Sequence, residues 1–296
     1  MQEICVIVPC FNEEQRLHRQ EMLAFVREHL NAAICFVDDG SSDGTLAAVE
    51  RLQRAEPDGV LVLRLPQNRG KAEAVRQGVL HATNLHRFRF IGFWDADLST
   101  PLGELEPMLD ALASDPACEL AMGSRVRRLG AHIERSPLRH YLGRMFSTAA
   151  SLVLHLPVYD SQCGAKVMRG ELAGVVFAEQ FVTKWTFDVE ILARLQNLLG
   201  PERVLTAVTE VPLRRWKEVG GSKLRLIDMV KVPLELLKIS RRYKLRRGTP
   251  QALAVNQTRQ ALPFSLPPDS AVTGDLATPP TQPADRVASG PHTRAS

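Results

Sequence analysis

Phe90-Ile91-Gly92-Phe93-Trp94-Asp95-Ala96-Asp97-Leu98-Ser99-Thr100-Pro101 decides how this chain folds. Its first five residues are an apolar run of the kind that forms a buried strand. Two carboxylates one residue apart at the end of such a strand cannot both enter the core, where each would be an uncompensated charge. At a strand tip they can share a hard divalent cation, because Mg²⁺ takes one or two carboxylates and completes its shell with phosphate oxygens and water. A surface turn with two solvated acids is the other reading, and D-x-D alone does not separate them.

The neighbouring segments repeat the pattern. Glu3–Pro9 reads as a buried strand closed by proline. Asn12 offers an N-cap, with Glu13 and Glu14 in the first turn of a helix to about Leu30. Ala33–Val37 is a second strand, ending in Asp38-Asp39-Gly40-Ser41-Ser42-Asp43-Gly44-Thr45, whose glycines and acids make a tight turn into a helix. Val60–Leu65 is a third strand, and Asn68-Arg69-Gly70-Lys71 starts another helix. Strands alternating with helices predict βαβ units and a parallel sheet. Ligands of such sheets bind beyond the carboxyl ends of the strands. Asn12, Asp38, Lys71 and Asp95 therefore converge on one crevice.

Later segments are read as follows. Leu102–Ser114 is a helix, 119–123 a strand opening onto Ser124-Arg125, and 137–156 amphipathic. Asp160–Lys166 is a polar loop and Phe187–Leu199 a helix with Asp188 and Glu190 near its N-terminus, where acids are favoured. Arg203–Leu213 reads as a strand, and 224–247 as a helix or helix pair broken or kinked at Pro233. The expected division is a catalytic domain over 1–215, a loop with basic amphipathic helices over 216–247, and a disordered tail over 248–296. Eight of the 19 prolines lie in that tail, and Phe264 is its only aromatic residue.

Of 296 residues, 45% are hydrophobic, enough for a substantial core. The five cysteines are odd in number and lack C-x-x-C spacing; three of them sit inside or just beyond apolar runs, which suggests small core residues in a reducing compartment. No signal peptide and no run of eighteen apolar residues is visible. The net charge of +4 divides unevenly: 221–247 carries +7, 125–144 carries +5, the tail zero and the remainder −8. This asymmetry predicts anionic partners at particular places. Zinc spacings, a Walker loop, G-x-S-x-G and G-x-G-x-x-G are absent. A nucleic-acid binder would explain the basic segments but not the ordered acidic motifs, so no nucleic-acid partner is expected. A nucleotidyltransferase would want a glycine- and arginine-rich loop after the first strand, and none is present.

Taken together, Pro9 with Asn12-Glu13, then D-D-G-S-S-D-G-T, N-R-G-K and D-A-D-L-S-T-P, in this order, resemble a family 2 glycosyltransferase over about residues 3–247. Asp160-Ser161-Gln162-Cys163-Gly164-Ala165-Lys166, Phe187-Asp188-Val189-Glu190 and Trp216 with Gly221-Ser222-Lys223 resemble the polyprenyl- and dolichyl-phosphate sugar synthases, most closely the dolichyl-phosphate β-glucosyltransferase branch. The resemblance implies a GT-A α/β fold, Mg²⁺ or Mn²⁺, and inversion at the anomeric carbon. It implies that Pro9, Phe11 and Glu13 border the nucleoside, that Asp38, beside Asp39, reads the base, and that Asp95 and Asp97, flanking Ala96, bind metal, diphosphate and ribose. Lys71 supplies a phosphate counter-charge. Arg125, Lys166 and Lys223 would face anionic oxygens, and Asp188 would take the position of the base. Ser99 stands where several members carry glutamine, and the transmembrane helices that many members append are missing.

The expected reaction moves a hexose, glucose first, from a UDP-sugar to a polyprenyl phosphate. It would occur at the cytoplasmic face of an anionic membrane, with both basic segments attached peripherally. A transferase acting on a saccharide or small-molecule hydroxyl, and a sugar-nucleotide-binding protein without turnover, are the alternatives. The sugar, the prenyl chain length and the oligomeric state stay open at this stage.

Overall fold

The structure is a computed structural model that describes residues 3–219, 226–243 and 245. Lys223 and the tail 248–296 lie outside the described residues. The elements are β1 Ile4–Cys10, α1 Arg19–Glu28, β2 Ala32–Asp38, α2 Thr45–Ala55, β3 Val60–Arg64, α3 Lys71–Asn84, β4 Phe90–Trp94, α4 Leu105–Ser114, β5 Leu120–Ser124 and β6 His132–Glu134. They continue with α5 Pro137–Leu154, β7 Ala165–Arg169, α6 Gly170–Val176, α7 Phe187–Leu199, α8 Val204–Ala207, β8 Val208–Pro212, β9 Arg215–Lys217 and α9 Leu226–Tyr243.

Seven strands form one sheet in the order β3-β2-β1-β4-β7-β5-β8. β7 runs antiparallel to both neighbours and the other pairings are parallel. The alternation of side chains along the strands divides the core between the two faces. Ile4, Val6, Val8, Ile34 and Phe36 pack on one face with Met22, Val49 and Leu105. Cys5, Ile7, Cys35 and Val37 pack on the other with Val75, Val79, Phe187 and Leu192. All five cysteines are free and buried.

The order reverses at β1: the chain proceeds to β2 and β3 on one side, then returns to β4 on the other. Such a switch point leaves a crevice at the carboxyl ends of the strands. Pro9, Asp38 and Asp95 stand at the ends of β1, β2 and β4.

Three local expectations need correction. Asn12 does not cap a helix, for α1 starts only at Arg19. With φ 53°, Asn12 instead accepts from Ser42 N–H and donates its own N–H to Ser41 Oγ, tying the first loop to the second. The expected strand 203–213 is α8 followed by β8. Of the expected helix or helix pair, the single helix is present: Pro233 lies inside α9 and does not break it. The segment 160–166 is polar in sequence but largely buried, with Asp160, Ser161, Cys163 and Lys166 all inside.

Candidate active site

The turn after β2 is built around Asp39. Its two carboxylate oxygens accept from Arg69 N–H and Gly70 N–H, both at 2.8 Å, so it fastens the N-R-G-K loop over the strand end. Burial raises its pKa despite those bonds, and neighbouring Asp38 adds to the rise. Gly40, at φ 68°, lies against the backbone of Gln67 and Asn68, where a Cβ has no room. Asp38 is 1% exposed, and its Oδ2 has no hydrogen-bond partner among the described residues. A buried carboxylate oxygen left unpaired is costly unless a ligand supplies the donor.

Pro9 and Phe11 border this turn half-buried, and Glu13 lies buried beneath it, its carboxylate bonded to Arg16 and its N–H to Thr45 Oγ1. These contacts place the predicted nucleoside-side residues in one place.

Asp95 and Asp97 follow β4 and are both partly exposed, with Ala96 buried between them. Leu98 at φ 47° turns the chain back, a left-handed conformation that costs about 1–3 kcal/mol in a non-glycine residue. Ser99 N–H and Oγ–H both donate to Asp97 Oδ1, fixing that carboxylate. Lys71 Nζ pairs with Asp95 at 2.5 Å. Burial pulls the Lys71 ammonium down, but Asp95, Asp188 and Asp97 outweigh it and hold the group above the ordinary lysine value. Gly164 packs so closely on the Asp95 carboxylate that any side chain there would collide with it. Among the described residues no cluster of three or more His, Cys, Asp or Glu side chains forms a metal cage. Two hard, partly exposed carboxylates fit a cation that completes its shell with phosphate and water.

Lys166 lies on β7 beneath this lip and is fully buried. Its ammonium donates to Asp188 Oδ1 at 2.6 Å and to the Cys163 carbonyl at 2.7 Å. Asp188 opens α7 and is itself buried. Phe187, beside it, packs on Phe93, and the Lys71 ammonium sits 5.9 Å from the Phe187 ring. Asp188, Lys166, Lys71 and Asp95 thus form one charged cluster.

Arg125, directly after β5, grips Asp160 through Nε and Nη2, each at 2.7 Å, and lies over Trp216. Burial opposes both charges, yet the pairing holds Asp160 below the usual carboxylate range and Arg125 above the usual guanidinium value. A shallow, solvent-open cleft lies beside this pair, lined by Arg125, Arg135, His140, Arg144, Tyr159 and Gln162. Arg144 stacks on Tyr159 at 3.7 Å from the ring centre. Partial burial and the charges of Arg127, Arg135 and Arg144 lower the His140 pKa. The 160–164 loop joins the cleft to the crevice, with Asp160 holding Arg125 at one end and Gly164 touching Asp95 at the other.

Sequence reading did not single out Arg135, Tyr159 or the Asp160 partner of Arg125. The net charge of 125–144 was the available signal.

Residues 5–177 match the family described as glycosyl transferase family 2. The chain is 36% identical over 241 residues to a dolichyl-phosphate β-glucosyltransferase of Drosophila melanogaster, covering 75% of this chain and 69% of that protein. It is 31% identical to the enzyme of that name from Saccharomyces cerevisiae, covering 82% of this chain and 75% of the other. The Mus musculus enzyme of that name is 32% identical, covering 88% and 80%. Among solved structures, glucosyl-3-phosphoglycerate synthase from Mycobacterium tuberculosis in complex with UDP superposes with a TM-score of 0.57 at 19% identity, covering 83% of this chain and 82% of that one. A mannosyltransferase from Pyrobaculum calidifontis in complex with GDP-Man and Mn²⁺ gives 0.57 at 17% identity, covering 87% and 68%. These likenesses identify the GT-A fold expected from the motif order. The chain belongs to glycosyltransferase family 2, related to the dolichyl-phosphate β-glucosyltransferases, and is a glycosyltransferase.

Proposed function

We propose that this enzyme transfers glucose, with inversion, from UDP-glucose to a polyprenyl or dolichyl phosphate at the cytoplasmic face of a membrane. The observation that carries this reading is the junction of two unlike sites: an acidic nucleotide crevice at the β1/β4 switch point and an arginine-lined cleft one loop away. A donor diphosphate suits the first, and a phosphate acceptor suits the second. The names of the relatives agree with glucose as the sugar and a dolichyl phosphate as the acceptor.

On this reading the unpaired Asp38 Oδ2 accepts the imide N–H of uracil, while the loop held by Asp39 closes over the nucleoside. Asp95 and Asp97 would hold Mg²⁺ or Mn²⁺, which as a Lewis acid neutralises the charge that builds on the departing diphosphate. Lys71 stands against the same oxygens. The acceptor phosphate enters the cleft of Arg135, His140 and Arg144, beside the Arg125–Asp160 pair, with Lys223 as a further cation. A phosphate monoester has its second pKa near about 6, so its oxygens are already largely anionic at neutral pH. Holding and aiming that dianion matters more than deprotonating it. Asp188 therefore serves chiefly to orient, through Lys166.

The membrane contact is assigned to α5 and α9. Tyr141, Met145 and Leu152 lie at helical spacing along one face of α5 and are 69%, 70% and 66% exposed. On α9, Leu234 and Leu237 are exposed among Lys231, Lys238 and Arg241. Among the described residues no helix is long and apolar enough to cross a bilayer. Apolar side chains beside cations fit an anionic interface.

The test is incubation with radiolabelled UDP-glucose, GDP-mannose and other donors, with and without a prenyl phosphate. Label should enter the organic phase from UDP-glucose alone, and only when the acceptor is present. Transfer to a saccharide, with none to lipid, would overturn the reading.

A further inference from the structure

The second residue of α7 is Asp188, yet the cap of α7 does not come from its own sequence. Thr186, at the N-cap position, makes no side-chain bond to the following turn. Its N–H and hydroxyl instead donate to Glu235 Oε2 on α9, at 3.0 and 2.9 Å, and Trp185 N–H donates to the same oxygen at 3.3 Å. Glu235 thus supplies in trans the acceptor that an N-terminus needs, and its negative charge suits the positive end of the helix dipole.

A second tie lies one turn further on. Tyr243 at the end of α9 donates to Glu190 Oε1 at 2.8 Å, and Arg194 Nε donates to the tyrosine oxygen. Glu190, fully buried, also gathers Val182 N–H and Thr183 N–H with the Thr183 hydroxyl. Between the two ties, Leu236 and Ile239 are buried in the core. The inner face of α9 therefore grips the loop 182–186 and the first turn of α7, while its outer face carries Leu234, Leu237 and Lys238.

We propose that Glu235 is a positioning residue for glycosyl transfer, holding the first turn of α7 so that Asp188, Lys166 and Lys71 keep their alignment beside Asp95. Displacing that turn moves Asp188 away from Lys166 and Phe187 away from Lys71 together. The nucleoside side of the crevice is built on β1 and β2, whereas the described part of α9 packs chiefly on α7 and α5. Loss of the cap should therefore lower kcat and leave the KM of the donor unchanged. The rate assay rests on the prenyl-phosphate reading above; the structural readout does not.

The experiment compares Glu235→Ala and Glu235→Gln in the full chain, pairing hydrogen exchange with steady-state kinetics on UDP-glucose and a short prenyl phosphate in detergent. Glutamine keeps an acceptor oxygen and should restore what alanine loses. For Glu235→Ala, exchange should rise over 181–192 and not over 4–10 or 34–38. Its kcat should fall about ten- to a hundredfold, as small misplacements of reacting groups cause. Donor KM should stay within about twofold. Should Glu235→Ala fold poorly, Thr186→Val removes one of the three bonds and should show a smaller loss of the same kind. Raised exchange with full kcat would overturn the positioning role, as would unchanged exchange over 181–192 or equal losses in the alanine and glutamine variants. Wild-type protein inactive on every prenyl phosphate would defeat the acceptor reading instead. UDP release from UDP-glucose into water would then supply the rate, with the same expected ratio between variants.

Discussion

The Lys166 ammonium lies 2.6 Å from Asp188 Oδ1 with the lysine fully buried, so the charge nearest the proposed reaction centre on α7 is bound to a partner from the sheet. Removing one member of a buried pair leaves the other uncompensated, which typically costs about 3–5 kcal/mol. Lys166→Met should lower the denaturant midpoint accordingly, and an unchanged midpoint would show that the pair does not hold α7 to β7.

The same pairing bears on catalysis. Removing a true general base costs roughly 10²–10⁴-fold in rate. Asp188→Asn keeps an oxygen for Lys166 and faces an acceptor already ionised, so at pH 8 its loss should fall below that range and below the loss in Lys223→Ala. The gap should narrow toward pH 5.5, where more of the acceptor must lose a proton. A pH-independent loss above a thousandfold in Asp188→Asn, with Lys223→Ala nearly normal, would favour a hydroxyl acceptor.

Much of this arrangement could be read from the chain. Apolar runs closed by a proline or by acids located β1, β2 and β4 and the residues at their tips, because strand ends in an alternating α/β order have one place to go. The trans contacts could not be read. Nothing local to Asn12 says that its side chain will bond Ser42 and its N–H Ser41, leaving no helix capped. Nothing in Trp185-Thr186 announces a cap from Glu235, fifty residues away. Asp160 and Lys166 read as a polar loop because their partners, Arg125 and Asp188, are remote in sequence. Burial of a charge depends on such partners, and composition does not record them.

Asp97 is held by Ser99 with one oxygen, leaving the other for a cation. Asp97→Asn should remove most turnover and abolish the metal dependence of UDP binding seen by calorimetry. Binding that stays equally metal-dependent in the variant would move the metal elsewhere.

The Arg125–Asp160 pair predicts a pH signature. Its folded-state pKa being lowered, Asp160 contributes stability that is full above its unfolded value of about 3.9 and is lost as pH falls through the folded value. Denaturation between pH 7 and pH 3 should show wild type losing more stability than Asp160→Asn over the acid end of that range. Parallel curves would mean the pair adds nothing to folding.

Membrane attachment predicts that the protein sediments with anionic vesicles at low salt and less with neutral ones. Met145→Glu and Leu152→Glu, on the exposed face of α5, should release it while leaving UDP binding intact. Equal recovery in the supernatant with both vesicle types would contradict the attachment.

If a lipid phosphate accepts the sugar, label should pass from UDP-glucose to one of two matched acceptors and not to the other. A prenyl phosphate and the corresponding prenyl alcohol should be compared at equal concentration with Mg²⁺ or Mn²⁺ present. An organic-soluble glucosyl product should form from the phosphate and none from the alcohol. Product from the alcohol, or from a soluble saccharide in place of both lipids, would contradict a lipid-phosphate acceptor.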